Sequence, residues 1–224
     1  MKYVRTLTIL TDAEISAKEI PLFRGSVLAS LGEKANLLYH NHTSDTTFRY
    51  AYPLVQYKRI HGKAAIVCID KAVDLIGQYL TNFTGVLRLG ERESECRIGN
   101  VNLNETHVGI SAAPFNYRVC RWLPLNSKNY QVFKHTEGLA ERISMCENIL
   151  KANLLSMLKG LDIHLDEELK IKIIRLSNPY IIYNKGVGMT AFDTEVTCNL
   201  TIPNYIGVGK NASVGCGIVS RITK

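Results

Sequence analysis

No stretch of the 224 residues comes near the roughly 18 uninterrupted apolar residues that a membrane-spanning helix needs, so a helical membrane protein is excluded. The start does not read as a cleavable leader either: Met1-Lys2-Tyr3-Val4-Arg5 passes straight into a strand-like run, with Asp12 and Glu14 soon after. A soluble, cytoplasmic protein with no membrane partner is expected. The six cysteines (Cys68, Cys96, Cys120, Cys146, Cys198, Cys216) form no Cys-x-x-Cys pair and no short framework, and surroundings such as Ile66-Val67-Cys68-Ile69 predict buried, reduced thiols. His40 and His42 have the His-x-His spacing that can open a zinc site, but His61, His107, His135 and His164 add no further ligand spacing, so neither a metal nor another cofactor is expected. There is no low-complexity tract and no short-period repeat.

What is present is a hydrophobic content of 46% and a formal charge of +7, enough for a sizeable core and consistent in sign with a polyanionic partner. The densest local signal is Gly207-Val208-Gly209-Lys210-Asn211-Ala212-Ser213-Val214-Gly215-Cys216-Gly217. Two readings stand for it. Its glycines can simply permit tight turns, or Gly207, Gly209, Gly215 and Gly217 can expose main-chain amides beside Lys210 and Asn211 to cradle phosphate. It is not a dinucleotide fingerprint, because the chain ends at Lys224 before an acidic residue roughly 20 positions on, nor a P-loop, because Gly209-Lys210 precedes Asn211 instead of Ser or Thr.

Read in order, the chain predicts a strand over 3–10, a helix opening at Pro21 and closing at Gly32, and a polar connection carrying Tyr39 to Asp45. A hairpin follows, of strands 48–59 and 64–69 turning through His61-Gly62-Lys63, then a helix over 71–80 and a strand at 85–89. That order is a split βαβ sandwich of the ferredoxin-like kind. Further on, strands are predicted at 96–103, 106–111, 116–123, 169–176, 189–202 and 214–222, around an amphipathic helix over 137–161. The expected fold class is α+β, with domains over 1–92 and 93–224, the glycine-rich loop entering the last strand of the second.

Three local blocks now go together: His40-Asn41-His42, the run Tyr52-Pro53-Leu54-Val55-Gln56-Tyr57-Lys58-Arg59-Ile60, and the paired Gly-x-Gly near the C-terminus. Taken with Arg24-Gly25, they resemble the b subtype of the CRISPR-associated Cas-six endoribonuclease family. The resemblance implies tandem ferredoxin-like (RAMP) domains, the second with the glycine-rich loop, cleaving CRISPR repeat RNA without a metal ion. It also implicates His40, His42 and a nearby tyrosine in catalysis, Tyr50 or its rival Tyr52.

The residue chemistry agrees. Metal-free RNA cleavage needs a base for the ribose 2′-hydroxyl, an acid for the departing 5′-oxygen and donors around the phosphorane, and imidazole suits both proton transfers. Two residues apart on an extended segment, His40 and His42 project to one face, either serving as base and the other as acid. Lys58 on the following strand is expected to steady phosphate charge. Lys210 is the expected backbone contact, with Arg121, Lys128, Lys134 and the Lys170-Lys172-Arg175 alternation behind it. Tyr180 and Tyr183, near Gly186-Val187-Gly188, are either core residues or rings for unpaired bases. The partner is then repeat RNA, single-stranded or as a stem-loop, with CRISPR effector subunits or a second copy as further partners. The rival functions are a non-catalytic RAMP-type protein holding repeat RNA in an effector complex, and a small-ligand protein using the glycine loop.

Overall fold

Alternating Leu, Ile and Thr carry the first strand further than the pattern suggested. The computed structural model, which describes residues 2–31, 52–184 and 186–223, begins with β1 over Lys2–Glu14. The chain divides into two units: Tyr3–Thr106 with Ser213–Gly215, and Met1–Lys2 with His107–Ala212 and Cys216–Lys224. Both are α+β.

In the first unit, helix α1 spans Ile20–Leu31 and buries Ile20, Phe23 and Val27, the i, i+3, i+7 stripe of an amphipathic helix. Its entry is held by Glu19, whose carboxylate accepts from the Ser16 amide at 2.7 Å and pairs with Arg92 at 2.7 Å. Strands β2 (Val55–Ile60) and β3 (Lys63–Ile69) close through His61 (φ 49°) and Gly62 (φ 85°), the two positive dihedrals of a tight two-residue hairpin. The helix predicted over 71–80 is two short pieces, α2 (Lys71–Leu75) and α3 (Gly77–Asn82), broken at Ile76 beside a glycine that holds helical backbone weakly.

The fourth strand lies elsewhere than expected. Among the described residues Val86–Leu89 (β4) pairs with Arg92–Glu95 (β5) alone, and the strand that joins β1 is Ile98–Val108 (β6), giving the order β2-β3-β1-β6. One face packs Leu7, Ile9, Val55, Tyr57, Ala64, Ile66 and Cys68 against α1, Ala72 and Ile76. Burying each large apolar side chain there contributes roughly 1.5–3 kcal/mol. The alternate residues Val4, Thr6, Gln56, Lys58, Ala65, Val67 and Ile69 are buried too. The outer edge of β2 is paired by the far end of the chain: the Tyr57 amide donates to the Ser213 carbonyl at 2.8 Å, and Tyr57 bridges Val214 in parallel.

The second unit has β7 (Ile110–Trp122), α4 (Ser127–His135), α5 (Leu139–Gly160), β8 (Ile171–Leu176), β9 (Tyr180–Asn184), β10 (Val187–Leu200) and β11 (Ile218–Arg221). Its sheet order is β11-β7-β10-β8, with β9 pairing β10 outside that path. With the four strands on each sheet's path numbered in chain order and β9 left out, this order is 4-1-3-2, the same as the first sheet read from β6. No helix joins β10 to β11 among the described residues; the connection holding the Gly207–Gly217 stretch stands there instead. Helix α5 buries Cys146, Leu150, Leu154, Met157 and Leu158. It is tied to the strands by the Trp122 indole donating to the Asn153 side chain (2.9 Å) and the Ile173 amide donating to Glu147 (2.9 Å). α4, which the sequence pattern did not show, is capped by Asn126, whose side chain accepts from the Asn129 amide at 2.8 Å.

All six cysteines are free thiols, five of them buried and Cys120 partly exposed. Burial pushes the Cys68 thiol up to about 12 and Cys146 up to about 11, and raises Cys120 as well, with Asp193 adding to the shift. A thiol titrating that high holds little thiolate near neutrality. Alkylation at pH 8 is therefore expected to reach Cys120 first and slowly, and Cys68 and Cys146 only on unfolding. Peptide mass spectrometry checks this; rapid native labelling of Cys68 would contradict the packing.

Candidate nucleic-acid interface

The Gly207–Gly217 stretch is closed at its neck by backbone pairing. Tyr205 donates to Val219 (2.7 Å), Val219 to Ile206 (2.9 Å) and Val208 to Gly217 (2.9 Å), with Gly207 bridging Ile218. Inside the neck, the glycines answer to the protein's own packing. At Gly217 (φ 61°) a Cβ would sit 1.9 Å from the Val208 carbonyl oxygen, and at Gly209 (φ 77°) it would sit 2.6 Å from the Asn153 Oδ1 that accepts from Trp122. At Gly215 (φ 78°) it would strike Ile20 at 2.4 Å. Asn211 supplies a further left-handed residue (φ 58°), and its carbonyl accepts from the Cys216 amide. The residue of this turn fully presented to solvent is Lys210.

The other expected contacts lie on the second unit's sheet. One rung aligns Ser220, Arg118, Glu195 and Arg175, the next Asn116, Thr197 and Lys172. Arg118 pairs with Glu195 at 2.8 Å, and Lys172 with Glu147 at 3.4 Å. Exposed pairs of this kind contribute little to stability and leave both cations available for exchange with phosphate. Two open depressions flank the rungs, about 390 Å³ beside Arg118, Arg175 and Asp193, and about 600 Å³ beside Lys170, Lys172 and Glu168. Lys128 and Lys134 are exposed on α4.

Lys58 is placed differently from the expectation. It is 0% exposed within β2, beside the equally buried Gln56, so its ammonium is an interior group and is not offered to a phosphate at the surface. Both faces of β2 are covered, so the alternation that puts Tyr57 in the core does not bring Lys58 to the surface. Gln56 donates to the Tyr52 hydroxyl (2.9 Å) and to the Pro53 carbonyl (3.0 Å). Burial pushes the Tyr52 hydroxyl well above the ordinary phenol range, so it stays protonated, a donor and not a base. His40, His42 and Tyr50 lie outside the described residues.

Sequence reasoning missed the neighbours that the glycines meet. Asn153 and Ile20 lie far from the stretch in sequence, and nothing in their local pattern marks them. No described helix is long and apolar enough to cross a membrane.

Comparison with known proteins covers both units. The Cas6b N-terminal domain family matches residues 2–107 and the Cas6b C-terminal domain family matches 109–222. An uncharacterised protein of Methanocaldococcus jannaschii is 33% identical over 125 residues, 55% of this chain and 84% of its own length. A crystal structure of Cas6b superposes with a TM-score of 0.87 at 26% identity, covering 99% of this chain and 100% of its own. A second, described as the CRISPR RNA processing endoribonuclease Cas6b, gives 0.75 at 24% identity over 99% of this chain and 100% of its own.

Proposed function

Because the chain belongs to the Cas6b family through both of its units, we propose that it is a metal-independent endoribonuclease that binds CRISPR precursor transcripts and cuts once within each repeat. The observation that carries the proposal is the pair of family matches, which leave almost no residue of the chain unassigned. A solved Cas6b of the same fold is described as a CRISPR RNA processing endoribonuclease, which supports the substrate.

In this reaction one imidazole of His40 or His42 takes the proton from the 2′-hydroxyl adjoining the scissile phosphate. The freed 2′-oxygen attacks phosphorus, the P–O5′ bond breaks, and the other imidazole protonates the departing 5′-oxygen. The products are a 2′,3′-cyclic phosphate and a 5′-hydroxyl. Tyr50 or Tyr52 donates a hydrogen bond to the phosphorane as charge builds on it. Lys210, with the main chain of Gly209 and Asn211 beside it, holds the substrate backbone away from the scissile bond, while the buried Gly207, Gly215 and Gly217 shape the turn that presents it.

Incubating the protein with its repeat RNA in EDTA tests this, with end-group analysis of the fragments. Cleavage to the cyclic phosphate is the expected result. Uncut RNA bound at every pH would identify a RAMP-type binding protein, and tight retention of a mononucleotide with no preference for repeat RNA would identify a small-ligand protein. Lys210→Ala is expected to weaken repeat binding and to lower the slope of log K against log salt by roughly 1, as loss of one phosphate contact requires. An unchanged slope would remove Lys210 from the interface.

A further inference from the structure

The β9–β10 hairpin has two unlike faces. In its register Tyr180 faces Ala191, Ile182 faces Met189, Ile181 faces Thr190 and Tyr183 faces Gly188. Tyr180, Ile182, Met189 and Ala191 pack with Leu123 and with Cys216 of the Gly207–Gly217 stretch, and the Asn211 amide meets the Met189 sulfur at 4.0 Å. The hairpin is thus rooted on the turn that presents Lys210. Its other face is bare: Tyr183 is 76% exposed and Ile181 54%. Gly188 gives the arrangement its shape, since a Cβ there would lie 3.3 Å from Ile181 Cγ2 and 3.4 Å from Tyr183 Cε1. A side chain at Gly188 would crowd the edge of the Tyr183 ring, which its absence leaves open to solvent.

We propose that Tyr183, set against Gly188, is a stacking platform for one unpaired base of the bound RNA, on the hairpin rooted against the turn that presents Lys210. The inference rests on the RNA-processing reading and goes beyond it by naming the residue that takes a base. Two observations choose a base over a protein surface as the occupant. The exposed apolar side chains here are one ring and two aliphatic groups, Ile181 and Val187, a few hundred Å² at most, against the roughly 800 Å² per partner of a stable protein interface. The chain also carries a formal charge of +7, with Lys210 exposed on the turn against which the hairpin packs; at the hairpin base Tyr180 donates to Asp193 at 3.0 Å, with the charge of Arg121 opposing that of Asp193. An exposed ring on a basic protein suits an unpaired base of a polyanion.

The test uses full-length protein and repeat RNA carrying 2-aminopurine at each unpaired position in turn. Quenching is expected at one position, lost in Tyr183→Ala and retained in Tyr183→Phe and Tyr183→Trp. Tyr183→Ala is expected to raise the Kd for repeat RNA roughly 5- to 150-fold with the salt slope unchanged, because a stacked base releases no counterion. Quenching at no position, or an equal Kd for Tyr183→Ala, overturns the platform. So does a Tyr183→Ala protein whose quenching is intact but whose sedimentation shows loss of a dimer, which would mark the face as a contact between copies. If the wild-type protein prefers repeat RNA no more than an unrelated strand, the processing reading fails; quenching on that unrelated strand then decides the platform on its own.

Discussion

Alanine in place of His40 or of His42 is expected to slow repeat cleavage by about 10²- to 10⁴-fold while leaving RNA binding nearly unchanged, the range over which a positioned acid or base acts. The two losses should not add. If both imidazoles serve one transition state, the double variant falls little below the poorer single one. The pH profile carries the sign of each role. The base must be neutral, so the rate falls as pH drops through the ordinary imidazole range near 6.5, and the acid must be protonated, so the rate falls again at high pH. Single-turnover cleavage across pH measures all of this, and full-rate cutting by both single variants would end the acid–base assignment. Tyr50→Phe and Tyr52→Phe then separate the two tyrosines. Only the one that donates to the phosphorane should lower the rate, and Tyr52, kept protonated by burial and already accepting from Gln56, qualifies as a donor only.

Gly217→Ala is expected to be strongly destabilising, although it adds a single methyl group. The added carbon would fall 1.9 Å from the Val208 carbonyl oxygen, a main-chain atom that cannot rotate aside, at a φ of 61° that already disfavours a side chain. The cost is about 3 kcal/mol or more, combining roughly 1–2 for the left-handed backbone with overpacking of a closed turn. Gly186→Ala is the matched control. It too has a positive φ, 77°, but meets nothing within 4 Å, so it should cost only about 1 kcal/mol. Urea unfolding of the two variants separates dihedral from clash, and equal midpoints would mean that the turn opens readily at Val208.

Much of the second unit can be read from its sequence because one face of its sheet is dry and the other wet. Phe192, Thr194, Val196, Cys198 and Leu200 alternate in β10, and α5 shows its stripe at Leu150, Leu154, Met157 and Leu158. The first unit hides more. β6 is legible as a strand, with Val101 and Leu103 alternating with asparagines inside the expected 96–103, but its place in the first sheet is not, since Gly99 to Glu105 are exposed on both faces. Val86–Leu89 has the look of a sheet strand and, among the described residues, forms a local hairpin. Lys58 misleads for the opposite reason, because β2 is buried on both sides and a charged residue there no longer marks solvent. For the Gly207–Gly217 stretch the letters show where side chains are missing but not why. At Gly209 the reason is Asn153 and at Gly215 it is Ile20, neighbours in space alone.

The pairing of Ser213–Gly215 with β2 makes the first unit a discontinuous fold. A fragment cut after Val108 would hold every strand of that sheet yet lack the segment that satisfies the Tyr57 amide, leaving a bare hydrogen-bonding edge open to self-association. A ribosome makes His107–Ala212 of the second unit before that segment emerges, so the half made first waits on the other to be finished.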